Sequence, residues 1–172
     1  MFDNMYAKRL KAYKQIGYEL ACGLQIGKQT VNAIYDWDNY STYYHKDLLG
    51  ANNNIIISSP VISGPKVYEL INLLKEKQMS GVQITIVTWA PDSYRFGDAA
   101  YWMQLHEDMR QAGFYIKTVE ESCERFAVID QEVVWYGNIN LLAKDKVDDS
   151  IMRILSKEIA SELMEITFGD NG

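Results

Sequence analysis

The sequence predicts an α/β fold: a mixed β-sheet flanked by helices, with an additional helix at the N-terminus. Short apolar runs such as Ile55–Ser59 and Val82–Thr88 alternate with amphipathic stretches of ten to fifteen residues, the pattern of strands joined by helices. Late in the chain two β-rich runs, Arg125–Asp130 and Val133–Tyr136, flank Asp130-Gln131-Glu132 as the arms of a hairpin. The 172 residues are 48% apolar with only three prolines, enough to bury a core and too apolar for a disordered chain.

Taken in order, residues 4 to 35 read as a helical arm in which Tyr6, Leu10, Tyr13, Leu20 and Leu24 recur at helical spacing. A main domain over 36–172 follows. Asp36-Trp37-Asp38-Asn39 breaks the chain, and Asn39 or Ser41 is placed to cap a second helix running to about Ala51. That helix contains a contiguous Tyr44-His45-Lys46-Asp47, read as a solvent-facing edge. The strand at Ile55–Ser59 ends in Ser-Pro, and Ser63-Gly64-Pro65 opens the next helix with proline in its first turn. Ser80-Gly81 stops it before the strand Val82–Thr88. The loop after that strand carries Tyr94, Arg95 and Phe96. It lies at the carboxyl end of a strand, where open α/β sheets bind ligands, so Arg95 is a candidate phosphate contact. A helix over 98–112, a strand over Phe114–Val119, the hairpin, an acidic link over 145–150 and a helix over Ile151–Phe168 complete the chain. In that last helix Ile151, Ile154, Leu155, Ile159, Leu163 and Ile166 are expected to face inward.

Charge narrows the function. The net charge of −6 opposes broad attraction to nucleic acid or anionic membrane, although residues 1–30 carry +3 and the remainder −9. Cys22 and Cys123 are too few and too far apart for a disulfide framework, which predicts free thiols in a reducing, cytoplasmic setting. No window is apolar enough to cross a bilayer. His106 stands beside Glu107 and Asp108, but adjacent helix residues do not face one another, so neither a metal site nor a cofactor is expected.

The stretch Cys123 to Asn140, CERFAVIDQEVVWYGNIN, resembles the HxKxxxxDxxxxxxGSxN motif of the phospholipase D superfamily without gap or insertion. Asp130, Gly137 and Asn140 match; Cys123 stands at the His position, Arg125 at the Lys position and Asn138 at the Ser. The strand order of the flanks is similar to the single-motif, nuclease-like and helicase-associated members, over roughly residues 36 to 168. The resemblance implies a phosphodiesterase site in which the His attacks phosphorus and the Lys and Asn hold the non-bridging oxygens. It also implies a homodimer that brings two motif faces together, because a second motif supplies the general acid.

Here the implied catalytic positions Cys123, Arg125 and Asp130 are degenerate. Cys cannot replace a neutral imidazole, and Glu121 and Glu124 nearby are expected to raise its pKa. Arg125, Gly137, Asn138 and Asn140 remain as candidates for phosphate binding, since Arg grips phosphate with a fork. The reading is therefore a degenerate phospholipase-D-like domain that binds a phosphodiester or nucleic acid with little or no turnover. The alternatives are an active phosphodiesterase or nuclease, and a dimerisation module of a larger helicase- or restriction-type protein.

Overall fold

Runs rich in Ile and Val assemble into one mixed sheet in the computed structural model of the chain, which describes residues 19–20, 32–95, 97–144 and 146–169. The elements are β1 (Glu19–Leu20), β2 (Ala33–Asp36), α1 (Tyr40–Gly50), β3 (Asn54–Ser58), α2 (Gly64–Met79), β4 (Gln83–Trp89), a 3₁₀ turn (Pro91–Ser93), α3 (Ala99–Gln111), β5 (Tyr115–Val119), β6 (Phe126–Ile129), β7 (Val133–Gly137), β8 (Ser150–Leu155) and α4 (Lys157–Phe168). Across the sheet the strands run β1-β2-β8-β7-β6-β3-β4-β5. β3, β4 and β5 are parallel, with α2 and α3 as the crossovers. β6 and β7 form the expected hairpin beside β3, and β8 lies antiparallel between β7 and β2.

Strand alternation divides the core between the two sides of the sheet. Ile55, Ile57, Ala127, Ile129 and Trp135 pack with α1, α2 and α3, whereas Ile56, Val87, Phe126, Val128 and Val134 pack with Ala160 and Leu163 of α4. Each fully buried Ile, Val or Leu stabilises the fold by about 1.5–3 kcal/mol. The hairpin turns on Asp130 and Gln131, both at positive φ (52° and 57°), with Glu132 N–H donating to Ile129 C=O at 3.1 Å. Left-handed conformation at both central residues matches the twist of the two strands. Because only Gly holds that conformation freely, Gln131→Gly is expected to raise stability by about 0.5–1 kcal/mol in a denaturant titration.

Three expectations need correction. In the range expected to be a helix over 4 to 35, Glu19–Leu20 and Ala33–Tyr35 are strand and Asn32 is a bend; the rest of that range, Cys22 included, lies outside the described residues, as do Phe96 and Asp145. The last helix begins at Lys157, not Ile151: Ser150–Leu155 is β8, and Ser156 caps α4 by accepting from Ile159 N–H at 3.2 Å. Alternation explains the strand, since Ile151 joins the larger core while Ile154 packs on the α4 side. Ile166, expected inward, is 68% exposed, and Leu155 and Ile159 are exposed too.

The contiguous His-Lys-Asp of α1 is also not a solvent-facing edge throughout. Asp47 turns inward, where its carboxylate accepts from Trp135 Nε1 at 2.8 Å and from Arg153 Nε and Nη2 at 2.6 and 3.0 Å. The Asp47 and Arg153 side chains are each only 15% exposed, so a forked ion pair and an indole tie α1 to β7 and β8. The hydrogen bond to Asp47 raises the Arg153 pKa further. His45 instead lies 3.7 Å from Glu69 of α2.

His106 is 1% exposed, and among the described residues neither ring nitrogen has a hydrogen-bond partner. Burial, helped by Arg110, pushes its pKa down from 6.5 to about 4. The unfolded chain therefore takes up this proton more readily than the folded one. The contribution is complete above about pH 6.5 and is lost as pH falls towards 4. A plot of stability against pH should steepen across that window, and His106→Leu should flatten it.

Candidate functional site

The motif strand carries its candidate residues at both ends. At the carboxyl end of β6, Asp130 is committed to the backbone. Its carboxylate accepts from Asn52, Asn53 and Asn54 N–H at 2.9, 2.7 and 3.1 Å and so fixes the entry to β3. Arg125 and Cys123 precede the other end of β6, a strand's length away from Asp130.

At that amino end, Arg125 Nε donates to Asn140 Oδ1 at 3.1 Å. The structure thus brings together two residues fifteen positions apart. The loop leaving β7 is what delivers Asn140. Ile139, Leu141 and Leu142 anchor that loop in the core, Leu142 N–H donates to Ser59 Oγ at 3.2 Å and Ser63 N–H donates to Leu142 C=O at 2.7 Å. Among the described residues nothing takes the terminal nitrogens of Arg125, so its fork is available to an anion.

Gly137 and Asn138 serve the sheet. A Cβ on Gly137 would meet Ser150 C=O and come within 2.7 Å of Ile151 Cα, so only glycine lets β8 approach β7 here. Gly137→Ala should cost about 1–3 kcal/mol, measured by denaturant titration. Asn138 Oδ1 accepts from Ser150 N–H at 2.8 Å, which commits its carbonyl oxygen to β8. Arg95 is exposed in the loop after the 3₁₀ turn.

Cys123 leaves the motif strand on the other side from Arg125. The ladder continues through Arg125, whose C=O accepts from Gly137 N–H at 3.4 Å, so alternation puts its side chain with Ala127, opposite Phe126. Cys123 packs with the α4-side cluster, with its Sγ 3.4 Å from Ser58 Oγ and 3.9 Å from Val87 C=O. Burial is the main cause that raises the thiol pKa; Ser58 and Arg125 pull it down, and Glu124 adds to the rise. Glu124 also accepts from Tyr136 OH at 2.9 Å.

Two neighbours of this end escaped the sequence reading. Ser58 closes β3 and donates to Glu124 C=O at 2.5 Å. Tyr94, read only as a loop residue, donates to Pro60 C=O at 3.2 Å and lies 3.1 Å from Thr88 Oγ1. The Ser-Ser-Pro that ends β3 was the one visible sign that hydroxyls and a carbonyl gather here. Among the described residues no group of three His, Cys, Asp or Glu side chains is placed to hold a metal, and no helix is long and apolar enough to cross a membrane.

Residues 44–168 match the family described as cardiolipin synthase, PLD-like domain, and the chain belongs to that family. No curated protein matches. Among solved structures the fold is similar to Nuc of Salmonella typhimurium, a phospholipase D family member, with TM-score 0.60 and 14% identity over 78% of this chain and 91% of that one. NucT from Helicobacter pylori gives 0.58 and 9%, with the same coverage of each chain. TrmBL2, an archaeal chromatin protein with a novel mode of DNA binding, gives 0.54 and 10%, covering 95% of this chain and 59% of that one. These likenesses carry the fold, and the mixed sheet with helices on both sides agrees with it.

Proposed function

We propose that this phospholipase-D-like chain binds a phosphate or phosphodiester group with Arg125 and Asn140 and turns it over slowly or not at all. One observation carries the reading: where the family motif has its nucleophilic His, the chain has a half-buried thiol, packed against the α4-side cluster, whose pKa is raised by burial. The missing imidazole is a general acid–base group usually worth about a hundredfold to ten-thousandfold. Asn140 holds Arg125 side-on through Nε, which preorganises the fork for two anionic oxygens. Nucleic acid is the phosphodiester to try first, because TrmBL2, one of the similar folds, is a chromatin protein that binds DNA.

The test combines binding and turnover. Sulfate or a short single-stranded oligonucleotide titrated into labelled protein should shift the resonances of Arg125 and Asn140, and Arg125→Ala should weaken binding about tenfold or more. Bis(p-nitrophenyl) phosphate and single-stranded DNA should remain uncut. A metal-independent rate that disappears on Cys123→Ser would instead establish an active nuclease. With one motif per chain, the reading also includes a homodimer through the motif face; light scattering that finds only monomer at high concentration would remove that part.

A further inference from the structure

The end of the sheet that carries Arg125 and Asn140 also carries a run of aromatic rings. β3 and β4 end there, since Ser58 pairs with both Phe126 and Val87, so α2 and α3, which follow those strands, begin there. Tyr68 stands one turn into α2, and Tyr101 lies in the first turn of α3. The Tyr101 hydroxyl accepts from Gly64 N–H at 2.9 Å, and the Tyr68 hydroxyl donates to Asp108 Oδ2 at 2.7 Å. A Cβ on Gly64 would lie 2.7 Å from the first hydroxyl and 3.7 Å from Cε2 of Tyr68, so the two rings adjoin. Behind them Trp102 meets Tyr101 edge-on with centroids 4.9 Å apart and stacks on Tyr94 at 4.3 Å.

We propose that Tyr68 and Tyr101 form a stacking step for the unpaired bases of a nucleic acid strand whose phosphate Arg125 and Asn140 hold. The step rests on the phosphate-binding reading and adds to it the kind of nucleic acid, a single strand. The first support is preorganisation. Both rings are fixed through their hydroxyls, yet Tyr68 is 46% and Tyr101 45% exposed. With the hydroxyls engaged by the protein, what meets solvent is mostly ring surface. A flat π partner fits such a surface, and rings already immobilised lose little entropy on receiving it.

The second support is continuity with the anion site. Asn140 leads to Leu142, whose C=O accepts from Ser63 N–H at 2.7 Å, and so to Gly64 and the Tyr101 hydroxyl. That path spans at most about 20 Å, the reach of a few nucleotides. Arg125 leaves its strand on the same side of the sheet as α2 and α3.

The third is charge. A net charge of −6 gives a phosphate backbone little attraction to the surface at large. Hydrogen bonds from Tyr68 and Gln104 lower the Asp108 pKa, so a carboxylate stands beside the Tyr68 ring. It turns phosphates away from the step and leaves the rings to uncharged bases. Affinity beyond the Arg125 contact then comes from stacking, which requires bases free of a complementary strand.

Fluorescence anisotropy of a labelled oligothymidylate and of an abasic strand of equal length tests this, because the two carry the same phosphates. The oligothymidylate is expected to bind about tenfold tighter or more, and a duplex no better than the abasic strand. Tyr68→Leu with Tyr101→Leu should erase the difference and leave sulfate affinity unchanged, whereas Tyr101→Phe, which keeps the ring, should preserve it. If the double variant does not fold, Tyr68→Leu alone, at an exposed position, should still reduce the difference severalfold. Equal binding of the two strands, or a difference that survives the leucine variants, would overturn the step while sulfate binding through Arg125 stood. Sulfate binding indifferent to Arg125→Ala would instead remove the anchor, and the step with it. A change of oligomeric mass in the leucine variants would also overturn the proposal, by assigning the rings to a second copy.

Discussion

Asp47→Ala is expected to lower folding stability by about 3–5 kcal/mol, measured by denaturant titration, although residue 47 lies on a helix far in sequence from its partners. Removing the carboxylate leaves the largely buried Arg153 guanidinium with its forked partner gone and the core Trp135 N–H without that acceptor. Losing one member of a buried pair costs more than replacing both. Asp47→Leu combined with Arg153→Met should therefore be less damaging than Asp47→Ala alone, with the orphaned indole still costing about 1–3 kcal/mol. A loss under about 1 kcal/mol for Asp47→Ala would show that water enters and solvates the guanidinium.

Asp130→Ala is the second large effect, about 3 kcal/mol, because one carboxylate serves three backbone N–H groups of the 52–54 turn. Sulfate binding should be unchanged in this variant wherever it remains folded. Arg125→Ala should behave in the opposite way, with stability nearly kept and the anion lost. The two variants thus separate motif positions that hold the strand from those that hold the ligand. Loss of sulfate binding in a stably folded Asp130→Ala would contradict that division.

The sheet was legible because its strands are short, apolar and separated by turn residues; β3, β4, β5 and the hairpin arms fall within a residue of where the sequence puts them. β8 was misread for a physical reason. Ile151, Ile154 and Leu155 fit a helical stripe as well as a strand buried on both sides, and pairing with β2 and β7 decides between them. Ser156, an available N-cap, was the overlooked signal. At the site, motif spacing singled out Arg125 and Asn140, and a hydrogen bond joins the two side chains. It says nothing of which way a side chain leaves the strand, so the opposite directions of Cys123 and Arg125 were invisible. The same is true of Asp47: only the fold gives a surface-looking triplet an inward carboxylate.

The place of β8 within the sheet bears on how the chain is made. Ala33 pairs with Arg153, so a strand near the start of the domain waits for one near its end. During synthesis β3, α2, β4, α3, β5 and the β6–β7 hairpin can associate while β7 and β2 still present bare edges to each other. Such edges are templates for wrong pairing, and contacts so distant in sequence form slowly. A nascent chain stalled before Ser150 would therefore hold a split sheet, sensitive to protease between β2 and β3. Emergence of six residues would then close it in one step.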